Sequence, residues 1–451
     1  MFNPFRFFAT GADRPQLSDQ NTIDRLYRKY RLSVMLTITI GYGFVYTCRL
    51  VLSVVKKPLI DGGIFSAEEL GIIGSAIFYT YAFGKLTNGF LADHANLKKF
   101  FAAGVLVSAL INLAMGVSAT VLWIWMLLWG LNGWFQGFGA PAGIVGISQW
   151  FSNSERGRYY GIWSTAHSIG EGLTFVVVAG VVSYFGWRGG FIAPGLMCTA
   201  IAVVIYLFMQ DRPPTLGLPT IADWKNDHGI QIDLGGGKTK ATLKEQLAIF
   251  KMPKIWVLGL AAAATYVTRY AINSWGILYL QEAKGYSLLE AGSMLGVTTI
   301  AGIIGCLAYG FASDNLFNAR RPPVTLIFGL IEIGSLFFIF YAPSGHPVLL
   351  TIAFVLYGFS LNGMVTVLGG LFATDITPKK VAGAVMGFIG VFSYLSAATQ
   401  DIISGRLIEK GTTIVDGIRY YDFSTPVIFW ISGAIAALIL ATSLWNAKPV
   451  D

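Results

Sequence analysis

Charge is what this sequence is short of. Of its 451 residues only 12% are Asp, Glu, Lys or Arg, while 54% are hydrophobic. A water-soluble domain carries about 25% charged residues. With a mean hydropathy of +0.61, the chain has too little polar surface to cover a globule in water, and lipid is the solvent that suits it. Cysteine is nearly absent. Cys48, Cys198 and Cys306 fall inside apolar runs with no paired spacing, so neither a disulfide nor a metal is expected. The four histidines are scattered and likewise suggest no metal site. No cofactor is expected. No cleavable leader is read at the N-terminus: residues 1–31 are polar and basic, and the first apolar run is long enough to stay in the membrane.

Long apolar runs are what the chain has instead. A helix needs about 20 apolar residues to cross a bilayer. Runs of that kind place spans at 32–55, 67–92, 100–117, 120–150, 156–185, 188–209, 253–281, 286–312, 323–343, 347–374, 380–408 and 424–447. Membrane barrels are built from alternating strands of about 10 residues, which these runs are not. Ser66 followed by Glu69 reads as a capping box opening the second span. The expected fold is an all-α membrane protein of twelve transmembrane helices in two pseudo-symmetric six-helix halves. Residues 1–31 form a cytoplasmic N-terminal segment, 32–210 the first half, 211–252 a polar cytoplasmic linker, and 253–451 the second half.

Orientation follows from Lys and Arg in short loops, which favour the cytoplasm. Arg25, Arg28, Lys29 and Arg31 precede the first span. Lys98 and Lys99, Arg156 and Arg158, Arg320 and Arg321, and Lys379 and Lys380 fall in alternate loops on the same side. The opposite loops are poorer, with Lys56, Lys57, Arg406, Lys410 and Arg419 as exceptions. Both termini are therefore expected in the cytoplasm. The net charge of +8 suits basic loops of this kind. Its spread over many short loops argues against nucleic-acid binding.

The halves read as repeats. Tyr46-x-x-Arg49 recurs as Tyr266-x-x-Arg269, and Gly89-Phe90-Leu91-Ala92-Asp93 recurs as Gly310-Phe311-Ala312-Ser313-Asp314. The two motifs share nearly the same offset. A parallel repeat about an axis normal to the membrane places the substrate site between the halves, near mid-membrane. Gly89, Asp93 and Asp314 are the candidate residues of these repeated loop motifs.

Ionisable groups inside the hydrocarbon are functional candidates by default, because each costs several kcal/mol or more. Arg49, Lys85 and Arg269 stand out. Neither arginine has an acid one turn away, so neither reads as locally neutralised. The alternative reading for one Arg alone is snorkelling or a structural ion pair; matched positions in both halves weigh against it. Two guanidiniums facing one cavity call for an anion. Their rigid donor fork matches phosphate oxygens, and a phosphomonoester carries roughly −1.5 to −2 charges at neutral pH, enough to balance two arginines. Tyr42, Tyr46 and Arg49 share a helical face. Tyr81, Trp163, Tyr266 and Tyr394 join the candidate lining, the bland alternative for each being ordinary packing. His167 is a candidate phosphate contact; Glu171, one turn on, reads as structural or modulatory. Asp401 reads as a site candidate holding a sugar hydroxyl or pairing Lys85 or Arg269. Asn362 and Ser360 are hydroxyl-binding candidates, and Glu332 reads as lying near a helix end.

The segments Gly41-Tyr42 through Arg49, Tyr81-Ala82-Phe83-Gly84-Lys85, Phe135-Gln136-Gly137-Phe138-Gly139-Ala140-Pro141, Glu155-Arg156-Gly157, Trp163-Ser164-Thr165-Ala166-His167, Asp211-Arg212-Pro213-Pro214-Thr215-Leu216-Gly217-Leu218-Pro219 and Tyr266-x-x-Arg269 together resemble the organophosphate:phosphate antiporter family of the major facilitator superfamily, and most of all its hexose-phosphate transporter and sensor branch. The resemblance implies exchange of a phosphorylated metabolite for inorganic phosphate at a site using Arg49, Arg269, His167 and Lys85. The sequence departs from the family at Leu50, where a basic residue is common, and at Ser274, where bacterial members carry an acid. Ala140 stands where the glycerol-3-phosphate branch has tryptophan, which leaves room for a larger sugar.

The expected function is exchange of a hexose 6-phosphate, such as glucose 6-phosphate, for inorganic phosphate by alternating access. The expected setting is the cell inner membrane, with the chain acting as a monomer. The alternatives are glycerol 3-phosphate:phosphate exchange and a transporter-like sensor of external sugar phosphate. No loop carries a nucleophile–base–metal arrangement, so an enzyme such as a phosphatase is not expected. A topology reporter fused at residue 230 should report the cytoplasm; a periplasmic signal there would overturn both the span count and the two-half plan.

Overall fold

The computed structural model describes residues 7–227, 249–318, 320–378 and 381–447. Lys379, Lys380 and residues 228–248 of the expected linker lie outside the described residues, as does the side chain of Asp93. Among the described residues, eight helical stretches are long and apolar enough to cross a membrane by length and composition. One of them, Asn153–Phe208, runs for 56 residues. At about 1.5 Å per residue it is far longer than a bilayer core of about 30 Å. It reverses at Gly186, where φ is +67°, a conformation that glycine adopts without a Cβ clash.

In chain order the helical rods are α1 (Gln20–Asp61), α2 (Ala67–His94), α3 (Leu97–Val117), α4 (Leu122–Gln136 and Gly139–Trp150), α5 (Asn153–Leu173) and α6 (Ala179–Phe208). They continue with α7 (Pro253–Glu282), α8 (Leu288–Phe311), α9 (Arg321–Tyr341), α10 (Pro347–Thr366), α11 (Ala382–Lys410) and α12 (Ser424–Thr442). π-helical turns extend α5, α8 and α10. A short hairpin of β1 (Thr412–Val415) and β2 (Ile418–Tyr421) joins α11 to α12. The starts are chemically marked. Ser66 and Glu69 cap α2 reciprocally at 3.1 and 2.8 Å, as expected, and Ser287 and Glu290 do the same for α8.

Helices α3 with α6, α2 with α4, and α1 with α5 pack within the first group; α7 with α11, α8 with α10, and α7 with α12 pack within the second. The groups meet along α2 with α11, α5 with α8, and α1 with α7. These seams are closest at the end away from the termini. A Cβ on Gly71 would lie 2.5 Å from the Asp401 carbonyl oxygen, and one on Gly405 would lie 2.5 Å from that of Ala67. Gly292 of α8 likewise meets the Phe175 carbonyl at 2.2 Å. At the other end, Gly89, Gly157, Gly161, Gly310 and Gly390 have no described atom within 4 Å of such a position. Among the described residues, close glycine contacts and ion pairs join the groups at one end, the closed end, and no ion pair joins them at the end that carries the termini, the open end.

Ion pairs reinforce the closed end. Lys57 pairs with Glu282, Arg406 with Glu68 at 2.8 Å, and the Ala67 amide donates to Glu409 at 2.9 Å. Deeper in, Lys56 donates to Asp401 at 3.1 Å, with both side chains 1% exposed, and its ammonium lies 3.3 Å from the Trp275 ring centre. This corrects two expectations. Lys56 is not in a loop, because α1 continues to Asp61. Asp401 holds neither a sugar hydroxyl nor Lys85 or Arg269, because a buried carboxylate takes the nearest buried cation, and that is Lys56.

At the open end, Asp211 ties the start of the polar stretch to the first group. Its carboxylate accepts from Thr10 at 2.6 Å, the Asn96 side chain at 3.1 Å and the Leu97 amide at 2.9 Å. Trp224 stacks on Tyr27 with ring centres 4.2 Å apart, and Arg31 pairs with Glu155 at 2.5 Å.

Breaking a buried ion pair by removing one partner costs about 3–5 kcal/mol, whereas replacing both with apolar residues is often neutral. Purified Lys56→Met and Asp401→Asn chains should each melt well below the unaltered chain. The Lys56→Met/Asp401→Leu double variant should recover most of the loss. A double variant no better than the worse single one would show that the two groups are not energetically coupled.

Candidate functional site

Where the two groups of helices face each other at mid-height, the side chains are aromatic and cationic. Arg49 projects from α1 and is 4% exposed. Its guanidinium carbon lies 4.1 Å from the ring centre of Tyr81, 5.3 Å from Tyr46 and 5.8 Å from Tyr394. Ring faces attract a desolvated cation by about 2 kcal/mol or more. They accept no strong hydrogen bond, and the Arg49 Nη2 atom is buried with no partner among the described residues. Such a nitrogen is expensive to leave unsatisfied and is a ready donor for an anion.

Arg269 projects from α7, flanked by Tyr266 and Tyr270, each ring centre 5.8 Å away. Unlike Arg49 it has a counter-charge: its Nη2 lies 3.4 Å from Oε2 of Glu171 on α5. The other oxygen of Glu171 accepts from the Asn273 side-chain amide. The reading that no acid one turn away neutralises this arginine locally stands, yet the arginine does meet a carboxylate. No acid lies one turn away on α7; the acid comes from the other group of helices.

Tyr394 of α11 joins the two arginine clusters. Its ring centre is 4.7 Å from that of Tyr81 and 5.6 Å from that of Tyr266. The Lys85 ammonium lies 5.9 Å from the same ring, one turn beyond Tyr81 toward the open end. His167 is 6.1 Å from Tyr46 between ring centres. It lies within electrostatic reach of Arg49, Arg269 and Glu171. Tyr42 and Trp163 stack at 4.9 Å on the open side of this cluster, where the Trp163 indole nitrogen is buried without a partner among the described residues. The structure therefore brings together Arg49, Arg269, Lys85, His167, Tyr42, Tyr46, Tyr81, Trp163, Tyr266 and Tyr394.

Three sequence candidates fall elsewhere. Asp401 is engaged with Lys56, as above. The Asn362 amide donates to Gly358 one turn back at 3.1 Å and packs over Gly302 of α8; the absence of a side chain at Gly302 is what lets it turn into that seam. Ser360 is also spent on its own helix, donating to Leu356 at 2.7 Å. Glu332 is 1% exposed with one oxygen unpartnered among the described residues. In the loop motifs, Asp314 pairs with Arg321 at 2.8 Å, and Arg321 also reaches Asp375 at 2.7 Å. A Cβ on Gly89 would meet no described atom within 4 Å.

Sequence reasoning passed over Tyr270 and Asn273. Asn273 follows Arg269 by four residues, so the two share a helical face, and that spacing was a usable signal. Tyr270 carries no such mark.

This arrangement can bind a small anion between donors from two groups of helices. The comparisons with known proteins agree with the fold. The Major Facilitator Superfamily description matches residues 33–399. The chain belongs to that superfamily, and within it to the organophosphate:phosphate antiporter branch. It is 33% identical to the membrane sensor protein UhpC of Salmonella typhimurium, with 98% of each chain covered. It is 30% identical to a probable hexose phosphate transport protein of Chlamydia pneumoniae, over 98% of this chain and 97% of that one. A bacterial homologue of the human lysosomal transporter Spinster, solved in an inward-facing and occupied conformation, superimposes with a TM-score of 0.72 at 17% identity, covering 93% of this chain and 97% of that one. The chain is a multi-pass membrane protein of a transporter fold, not an enzyme.

Proposed function

We propose that this chain exchanges a hexose 6-phosphate for inorganic phosphate by alternating access, as a monomer. The setting is the inner membrane of a bacterium, with both termini cytoplasmic and the structure open inward. One observation carries the reading. Each group of helices contributes one arginine to a tyrosine-lined centre, and Arg49 keeps a buried guanidinium nitrogen with no partner among the described residues. A phosphate bridging Arg49 and Arg269 supplies that partner and links the two groups. A ligand shifts a conformational equilibrium only through contacts that differ between states, and a bridge across the moving seam is such a contact. Phosphate and the sugar phosphate make the same bridge, so either drives the cycle. Lys85, near Tyr394, and His167, near Tyr46, are the further phosphate contacts in this reading. The small side chain of Ala140, where the glycerol-3-phosphate branch has tryptophan, favours a hexose over glycerol 3-phosphate; the relatives do not separate the two, since a probable hexose phosphate transport protein and a glycerol-3-phosphate transporter match at 30% and 31% identity.

A second reading, a sensor that binds sugar phosphate without carrying it, is favoured by the similarity to the membrane sensor protein UhpC. Vesicles loaded with phosphate separate the two: counterflow of glucose 6-phosphate supports exchange, and binding without flux supports the sensor.

Lysine keeps the charge of arginine but loses its bidentate fork. A hydrogen bond to a charged group contributes about 1.5–3 kcal/mol. Arg49→Lys and Arg269→Lys should each slow phosphate:phosphate counterflow in reconstituted vesicles by roughly tenfold to a hundredfold, with sugar-phosphate uptake falling in parallel. Near-normal exchange in both variants would show that these arginines do not clamp the phosphate. If glycerol 3-phosphate competes for uptake far better than glucose 6-phosphate, the hexose assignment is wrong.

A further inference from the structure

The two arginines are not equivalent, and the difference bears on which phosphate esters the site accepts. Arg49 is bare on one nitrogen, whereas Arg269 already faces a carboxylate. Arg269 and Asn273 stand one turn apart on α7 and present two donors side by side. Glu171 lays one oxygen against each: Oε2 against the Arg269 guanidinium at 3.4 Å and Oε1 against the Asn273 amide. Glu171 is 6% exposed. It reaches this place because its helix lies tight on α8, where a Cβ on the next residue, Gly172, would be 2.6 Å from Thr299 Oγ1. Apart from Arg269 and Asn273, the groups within electrostatic reach of the carboxylate are His167 on its own helix and Tyr357 from α10.

We propose that the Arg269–Asn273 pair is a carboxylate-binding place which the protein fills with its own Glu171, and that Glu171 thereby makes the site select phosphate esters whose organic part is uncharged. The inference rests on the reading of Arg49 and Arg269 as the phosphate site. Arg49, Arg269 and Lys85 supply three positive charges, and Glu171 removes one. The remainder matches the roughly −1.5 to −2 charges of a phosphomonoester at neutral pH. An ester that also bears a carboxylate brings one negative charge too many. Its carboxylate finds the donors it would need already occupied, and like charge in a dehydrated site is strongly repelled. A hexose phosphate meets neither obstacle.

The test is equilibrium displacement of labelled inorganic phosphate from the purified full-length chain by glucose 6-phosphate and by 3-phosphoglycerate. In the unaltered chain 3-phosphoglycerate should displace phosphate roughly tenfold to a hundredfold less well, the factor expected when charge-assisted hydrogen bonds cannot form. Glu171→Ala vacates the place and removes the charge, and should narrow that ratio by about tenfold or more. Glu171→Asp keeps the charge and should keep the discrimination. Equal displacement by the two esters in the unaltered chain overturns the proposal and requires no variant. An unchanged ratio in Glu171→Ala, with phosphate still bound, also overturns it. If glucose 6-phosphate displaces no phosphate from the unaltered chain, the phosphate-site reading itself fails, an outcome distinct from either of these.

Discussion

A cation taken out of water must find compensation within reach, and the centre of this protein is organised around that requirement. Three buried or half-buried cations meet it in three ways. Lys56 has a carboxylate and an indole face. Arg269 has a carboxylate shared with an amide. Among the described residues Arg49 has tyrosines and no carboxylate, which lessens the cost of burial but leaves one donor idle. The gradient from complete to incomplete compensation runs from the closed end toward the middle of the molecule. On the proposed function, the first site is a fastening and the last is where a ligand completes the compensation.

The same requirement explains what could be read from the sequence. Apolar runs mark the rods because a helix satisfies its own backbone in lipid. The span expected at 67–92 is helical over Ala67–His94, and that expected at 253–281 over Pro253–Glu282. The repeated Tyr-x-x-Arg motif located both arginines, because repetition in sequence becomes symmetry in space. Partnership across helices was not legible. Helical spacing shows which residues share a face but not what that face meets. Lys56 and Asp401 are 345 positions apart, and Glu171 and Asn273 are 102 apart. Asn362 has the chemistry of a ligand contact, and only the glycine opposite it shows that it turns into a helix seam instead. Lys56 was misread for a simpler reason: α1 runs past the length a bilayer needs.

The two ends of the molecule are stabilised differently. The closed end is held by contacts between the helix groups, through glycine-lined seams and ion pairs. The open end is held within one group: Asp211, Tyr27, Trp224 and Arg31 join the N-terminal arm, the start of the polar stretch and the α4–α5 turn into one plate. Motion that separates the groups at the first end need not disturb the second.

The seam between α2 and α11 is so narrow that main chain rests on main chain. At Gly74 the vacant position of a side chain lies 1.9 Å from the Asp401 carboxylate, less than any carbon could tolerate. A single methyl group placed there would have to displace the Asp401 carboxylate, and with it the pairing to Lys56. Position 74 is therefore a point at which one carbon atom can loosen the fastening of the closed end without touching Arg49 or Arg269. That separates the geometry of opening from the chemistry of binding.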